Sequence, residues 1–156
     1  MGNETNLVKI KTPFKIKLNQ VPTFFKYLKF CHIMDWSRRH GGFILKSIKK
    51  SMDEKDPNQV IERTSQLDNI ILKNMGIIGI KIEKEDFNKE IIFRCRESEE
   101  MLVETSYKFD DITYPKNLIV IVNILSGPVP IDLKTIITNQ VKGYLEYIMA
   151  EFKVLF

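Results

Sequence analysis

The chain has 156 residues and a formal net charge of +4, with 44% hydrophobic and 28% charged residues. That length fits one ordinary domain, residues 1–156, and the apolar fraction argues against intrinsic disorder away from the ends. The longest apolar run, Leu118–Leu125, is broken by Asn123 and is too short to span a bilayer as a helix. The charge is uneven. Residues 1–56 hold 12 Lys/Arg against 5 Asp/Glu, and residues 57–156 hold 12 against 15, which predicts a polarised surface. Met1-Gly2-Asn3-Glu4 lacks the basic flank and apolar core of a signal peptide, and Asn6 stands where a myristoylation signal wants a hydroxyl. The only two cysteines, Cys31 and Cys95, fall among core-like residues, so the expected compartment is a reducing cytoplasm.

The first element is a strand over 7–18. Val8, Ile10, Phe14, Ile16 and Leu18 face one way, and Lys9, Lys11, Lys15 and Lys17 the other. Pro13 cannot donate to a ladder, which places this strand at an edge or a bulge, with its lysines guarding the edge. Pro22 opens a helix over TFFKYLKFCHIM, whose apolar face is wider than a normal stripe. A second helix is expected at about 42–51, with Ile44, Ile48 and Met52 in line. A third is expected at 57–75, with Asp56 as N-cap and Gly76 as C-cap. Ile78, Ile80 and Ile82 alternate, as do Ile91, Phe93 and Cys95, so 77–96 reads as a hairpin closed by a polar turn, EKEDFNKE. MLVETSYKF, 101–109, is a further strand. Leu118–Leu125 reads as a central strand covered on both faces. Beyond Gly127-Pro128-Val129-Pro130, a helix at about 131–153 carries Leu133, Ile137, Val141, Tyr144, Leu145, Ile148 and Phe152 on one stripe. The expected fold class is α+β: an N-terminal strand, three helices, an antiparallel sheet of three to four strands and a long C-terminal helix.

Catalytic and ligating motifs are sparse. Gly41-Gly42 lacks a following Lys-Ser/Thr, and Gly76-x-x-Gly79 enters a strand, so neither cradles phosphate at a helix start. Cys31, His32 and His40 do not have metal-ligand spacing. Arg94 and Arg96 flank Cys95, and neighbouring cations lower a thiol pKa. In a strand, however, both arginines point away from Cys95, which joins Ile91 and Phe93 on the core face. Glu97, Glu99 and Glu100 lack a partner His and read as a solvated turn. No catalytic residue, metal or cofactor is expected. Trp36-Ser37-Arg38-Arg39-His40, near Lys46, Lys49 and Lys50, has two readings: a binding hot spot for phosphate or a partner, or a helix flank with Trp36 in the core.

The segment Ser37–Met101 resembles the 4-vinyl-reductase-type domain superfamily, whose relatives include core subunits of the TRAPP vesicle-tethering complex. The matching features are an Arg pair before a glycine-led helix (RRHGGFILKSIKK), a helix ending LKNMGI, and the hairpin GIKIEKEDFNKEIIFRCRESEE. The strand LIVIVNILSGPVPI and the closing helix NQVKGYLEYIMAEFKVLF, with Lys142-Gly143-Tyr144-Leu145-Glu146 as its core, follow the family order. Three features depart from the family pattern. The C-terminal cysteines of many such domains are missing, SMDEKDPN has no counterpart of the cysteine that some TRAPP subunits acylate, and the Lys-rich first strand has no family place.

The resemblance and the wide apolar helices imply a non-enzymatic scaffold or adaptor. It would pair with itself or a related subunit through Phe24, Leu28, Trp36, Arg38, Arg39, Tyr144 and Ile148. A small GTPase is a further expected partner, and peripheral membrane contact is compatible with this role. One alternative is a sensor holding a small hydrophobic ligand in a cavity lined by Ile44, Ile48, Ile71 and Phe93. Another is a nucleic-acid binder using Lys9, Lys11, Lys15, Lys17, Arg38 and Arg39.

Overall fold

In the computed structural model, residues 7–39, 79–129 and 131–156 are described. Period-two alternation builds a five-stranded antiparallel sheet from β1 (Leu7–Pro13), β2 (Ile80–Asp86), β3 (Glu90–Arg96), β4 (Leu102–Phe109) and β5 (Asn117–Ser126), in the order β1-β5-β4-β3-β2. The N-terminal strand is therefore an edge of the same sheet, which has five strands rather than the expected three to four. Pro13 pairs with Asn117 at the very end of β1, where a missing N–H is tolerated. Both edges, β1 and β2, present exposed lysines that discourage strand addition: Lys9 and Lys11 on one, Lys81 and Lys84 on the other.

Two long helices lie among the described residues, α1 (Val21–Arg39) and α2 (Leu133–Leu155). The helices expected at about 42–51 and 57–75 fall outside the described residues. α1 packs on β3, α2 packs on β1, and the two helices touch each other. Strand residues turned toward them are buried: Val8, Ile10, Ile91, Phe93, Cys95, Tyr107, Leu118, Val120 and Val122. Phe14, Phe24, Phe25, Phe109 and Phe152 meet where β1 gives way to the helices. Phe24 stands edge-on to Phe152 with ring centroids 5.2 Å apart and sits 5.0 Å from Phe14. Such pairs add to the area they bury because ring edges carry positive and ring faces negative charge.

Three sequence expectations are corrected. The alternation of 7–18 does not persist past Pro13: Phe14 is buried and Ile16 partly so, but Leu18 begins a 3-10 turn (Leu18–Gln20) and is exposed. The two faces of β5 are not equally buried. Leu118, Val120, Val122 and Ile124 are buried, whereas Ile119 and Ile121 are only half-buried, opposite Lys11 and Lys9 of β1. The polar stretch EKEDFNKE is not all turn, because β2 continues to Asp86 through a register shift between Ile82 and Lys84. That bulge inserts Glu83 and puts Glu85 opposite Ile91, on the helix-facing side.

Glycine is required where the chain bends sharply after β5. Gly127 has φ +107°, and a Cβ there would lie 2.8 Å from the Glu100 carbonyl oxygen.

Candidate functional site

α1 is not a one-faced amphipathic helix. Phe24, Phe25, Tyr27, Leu28, Phe30, Ile33, Met34 and Trp36 are all buried, and they point in every direction around its axis, as in a helix set inside a core. Lys29 and His32 are polar groups on this helix, and both have partners. Lys29 is fully buried, with Nζ 2.9 Å from Glu85 Oε1 and 5.6 Å from the Phe87 ring centroid. Burial lowers the Lys29 pKa against the pull of that carboxylate. The bulge in β2 is what brings Glu85 to the ammonium.

One turn further, His32 lies flat on Phe93, with centroids 4.1 Å apart and planes 11° apart. Its Nδ1 is 2.8 Å from the Tyr107 hydroxyl, and its Nε2 is 3.6 Å from Cys95 Sγ. Either tautomer satisfies the imidazole: the nitrogen carrying the proton donates, and the other accepts from the hydroxyl or the thiol. A Cys–His pair at this distance resembles a nucleophile and its base, but the electrostatics run the opposite way. Burial pushes the Cys95 thiol upward and holds the imidazole down to about 3, so both groups are neutral as they stand. Burial drives the Cys31 thiol up to about 12. The Tyr144 hydroxyl of α2 is buried without a hydrogen-bond partner, and its pKa is raised well above the ordinary value by the same desolvation. Among the described residues no three His, Cys, Asp or Glu side chains converge as a metal site.

The residues expected at a partner interface differ in exposure. Phe24, Leu28, Trp36 and Ile148 are buried inside the chain's own core. The apolar width that suggested a partner is used by α1, α2 and the sheet on one another. Trp36 packs against Gly79, where a Cβ would come within 3.2 Å of its ring, and its Nε1 donates to the Arg96 carbonyl at 3.4 Å. Tyr144 is half-buried on the inner flank of α2. Arg38 and Arg39 are exposed, but Arg39 is engaged by Glu97 of the β3–β4 turn and by Asp35 one helical turn back, at 3.3 Å. Among the cavity residues, Phe93 is fully buried and stacked on His32. Ile44, Ile48 and Ile71 fall outside the described residues.

A different surface is left open on α2. Its inner stripe, Leu145, Ile148, Met149 and Phe152, faces the core. On the opposite side, Ile136, Gln140, Gly143, Tyr147, Ala150 and Val154 are all exposed, with Tyr147 at 66% and Val154 at 85%. Their spacing, alternately four and three residues, is the 3.5-residue repeat of a coiled-coil seam. Nothing lies within 4 Å of a Cβ built at Gly143, so the seam has an open notch beside the projecting ring of Tyr147. In the sequence this seam is masked by the inner stripe of the same helix, which is more hydrophobic. The signal was present in the 136–143–150 and 140–147–154 heptad spacings.

No helix among the described residues is long and apolar enough to cross a membrane. Comparison of the chain with protein-family models, curated proteins and solved structures finds no match.

Proposed function

We propose that this chain is a non-enzymatic scaffold or adaptor subunit that pairs, with a second copy or a related chain, through the outer seam of α2. The observation that carries this reading is the run of exposed residues Ile136, Gln140, Gly143, Tyr147, Ala150 and Val154 at coiled-coil spacing. The seam complements itself when two copies run antiparallel about a two-fold axis near residue 145. Tyr147 then faces Gly143 of the other copy, Gln140 faces Ala150, and Ile136 faces Val154. Each bulky side chain in the middle layers meets a small one, as knobs-into-holes packing and an isologous interface require. Gly143 also acquires a purpose. In a lone exposed helix, glycine costs about 0.5–1 kcal/mol relative to alanine, with nothing to offset it. In a close helix pair, its missing side chain makes room for the partner. A single helix pair is a small interface, so association is expected at micromolar concentrations and above.

Disulfide trapping tests the geometry. The double variant Gln140→Cys/Ala150→Cys is expected to form a covalent dimer under mild oxidation, while Gln140→Cys alone is not. Efficient trapping by the single variant would indicate a parallel pair, and no trapping by either would contradict the seam.

A further inference from the structure

At one end of the sheet, the chain leaving β1 runs beside the loop between β4 and β5. Phe14 N–H donates to the Lys116 carbonyl at 2.7 Å, and Ile16 N–H donates to that of Pro115 at 3.4 Å. The two segments frame an open groove of about 390 Å³. Large apolar side chains stand out from this end: Leu18 is 53% exposed, Ile112 60% and Tyr114 69%. Around them Lys11, Lys15, Lys17 and Lys116 are exposed. The two acids of the loop are exposed, and their carboxylates are engaged in holding its backbone together. Asp110 accepts the Lys116 and Asn117 N–H groups and the Asn117 side-chain amide, and Asp111 accepts the Thr113 and Tyr114 N–H groups.

We infer that this end of the molecule docks on an anionic phospholipid surface, with Leu18, Ile112 and Tyr114 entering the headgroup–acyl boundary and the lysines meeting lipid phosphates and carboxylates. Apolar tips ringed by cations match the two halves of such a surface. Either half alone gives marginal binding, and the two together add. Lysine stems lie along apolar surface while their ammonium heads stay in water, and a tyrosine ring is at home where apolar and polar layers meet. A nucleic acid fits less well. Strand binding is built on stacked aromatic faces and arginine, whereas the described residues of this end include one exposed aromatic ring at its tip, two aliphatic side chains with no use against a phosphate backbone, and no arginine.

The test is co-sedimentation of the full chain with vesicles of phosphatidylcholine alone and of phosphatidylcholine with about one-third phosphatidylserine, at low and high salt, beside a single-stranded oligonucleotide control. Binding is expected to the serine-containing vesicles only, and to weaken as salt screens it. Lys15→Gln/Lys17→Gln is expected to lower vesicle partitioning roughly 25-fold, about fivefold per lysine. Leu18→Ser/Tyr114→Ser is expected to lower it without changing the salt dependence. All four positions are exposed, and an unchanged circular dichroism spectrum verifies the fold. The inference is overturned by absence of binding to anionic vesicles at low salt, by binding indifferent to either double variant, or by lysine-dependent oligonucleotide binding without vesicle binding.

Discussion

His32 is expected to make the fold acid-sensitive in a window that few other groups share. The imidazole is sandwiched between Phe93 and its two hydrogen-bond partners, Tyr107 and Cys95. Burial depresses its pKa from 6.5 to about 3. Between those values the unfolded chain takes up a proton that the folded chain refuses. Stability is therefore fully present above about pH 6.5 and is lost as pH falls toward 3. At pH 5 the loss amounts to about 2 kcal/mol, which lowers the midpoint of thermal unfolding by about 4–8 °C for a chain of this size. The assay is thermal or urea unfolding at closely spaced pH values from 7.5 to 5, for the wild type and for His32→Gln. The variant will be less stable throughout, because the contacts of the ring are lost, but its stability should fall less steeply across that interval. The second histidine, His40, is common to both proteins and cancels in the difference. Parallel pH profiles for the two proteins would refute the reasoning and mean that the imidazole can charge in place.

Removing the carboxylate of the Lys29–Glu85 pair should cost more than replacing the lysine. Glu85→Ala is expected to destabilise by roughly 3 kcal/mol, because it takes a counter-charge from a fully buried ammonium. Lys29→Met keeps the volume and leaves Glu85, about a third exposed, in reach of water; urea unfolding should show a clearly smaller loss. The reverse order would contradict the account of the β2 bulge. Gly127→Ala is expected to destabilise by about 1–3 kcal/mol, since a Cβ would meet the Glu100 carbonyl at a φ of +107°. An unchanged unfolding midpoint would show that this turn can relax.

Much of the sheet was legible in the sequence because strand alternation survives wherever one face is buried and the other is not. The hairpin of β2 and β3 and the inward Cys95 between outward Arg94 and Arg96 follow from period two alone. Arg94 indeed lies on the outer face, 2.9 Å from Glu104. Legibility failed where tertiary contact overrides local character. In isolation, Asp35-Trp36-Ser37-Arg38-Arg39 reads as a helix flank, but the Asp35–Arg39 pair and buried Trp36 carry α1 on to Arg39. Glu85 looked like part of a polar turn because no pattern in the sequence announces a one-residue bulge. Lys29 gave no sign that it is buried, since long charged side chains normally reach solvent. For β5, eight mostly apolar residues fit a doubly covered strand equally well, and only the register shows that lysines stand opposite Ile119 and Ile121. The wide apolar helix faces are ambiguous for a related reason. A wide apolar helix face has the same sequence whether it meets another chain or the rest of its own. The exposed seam of α2 emerges only after the inner stripe has been assigned to the core.

Whether α2 pairs through its outer side is read from the mass of the protein in solution. Light scattering coupled to size exclusion, across a wide range of loading concentrations, should show a monomer–dimer equilibrium that shifts toward dimer as concentration rises. Tyr147→Glu/Val154→Glu, both at exposed positions, should hold the protein monomeric throughout without loss of fold. A wild type that stays monomeric at the highest concentration, with no related subunit captured by the seam, would contradict the account, as would a dimer indifferent to both substitutions.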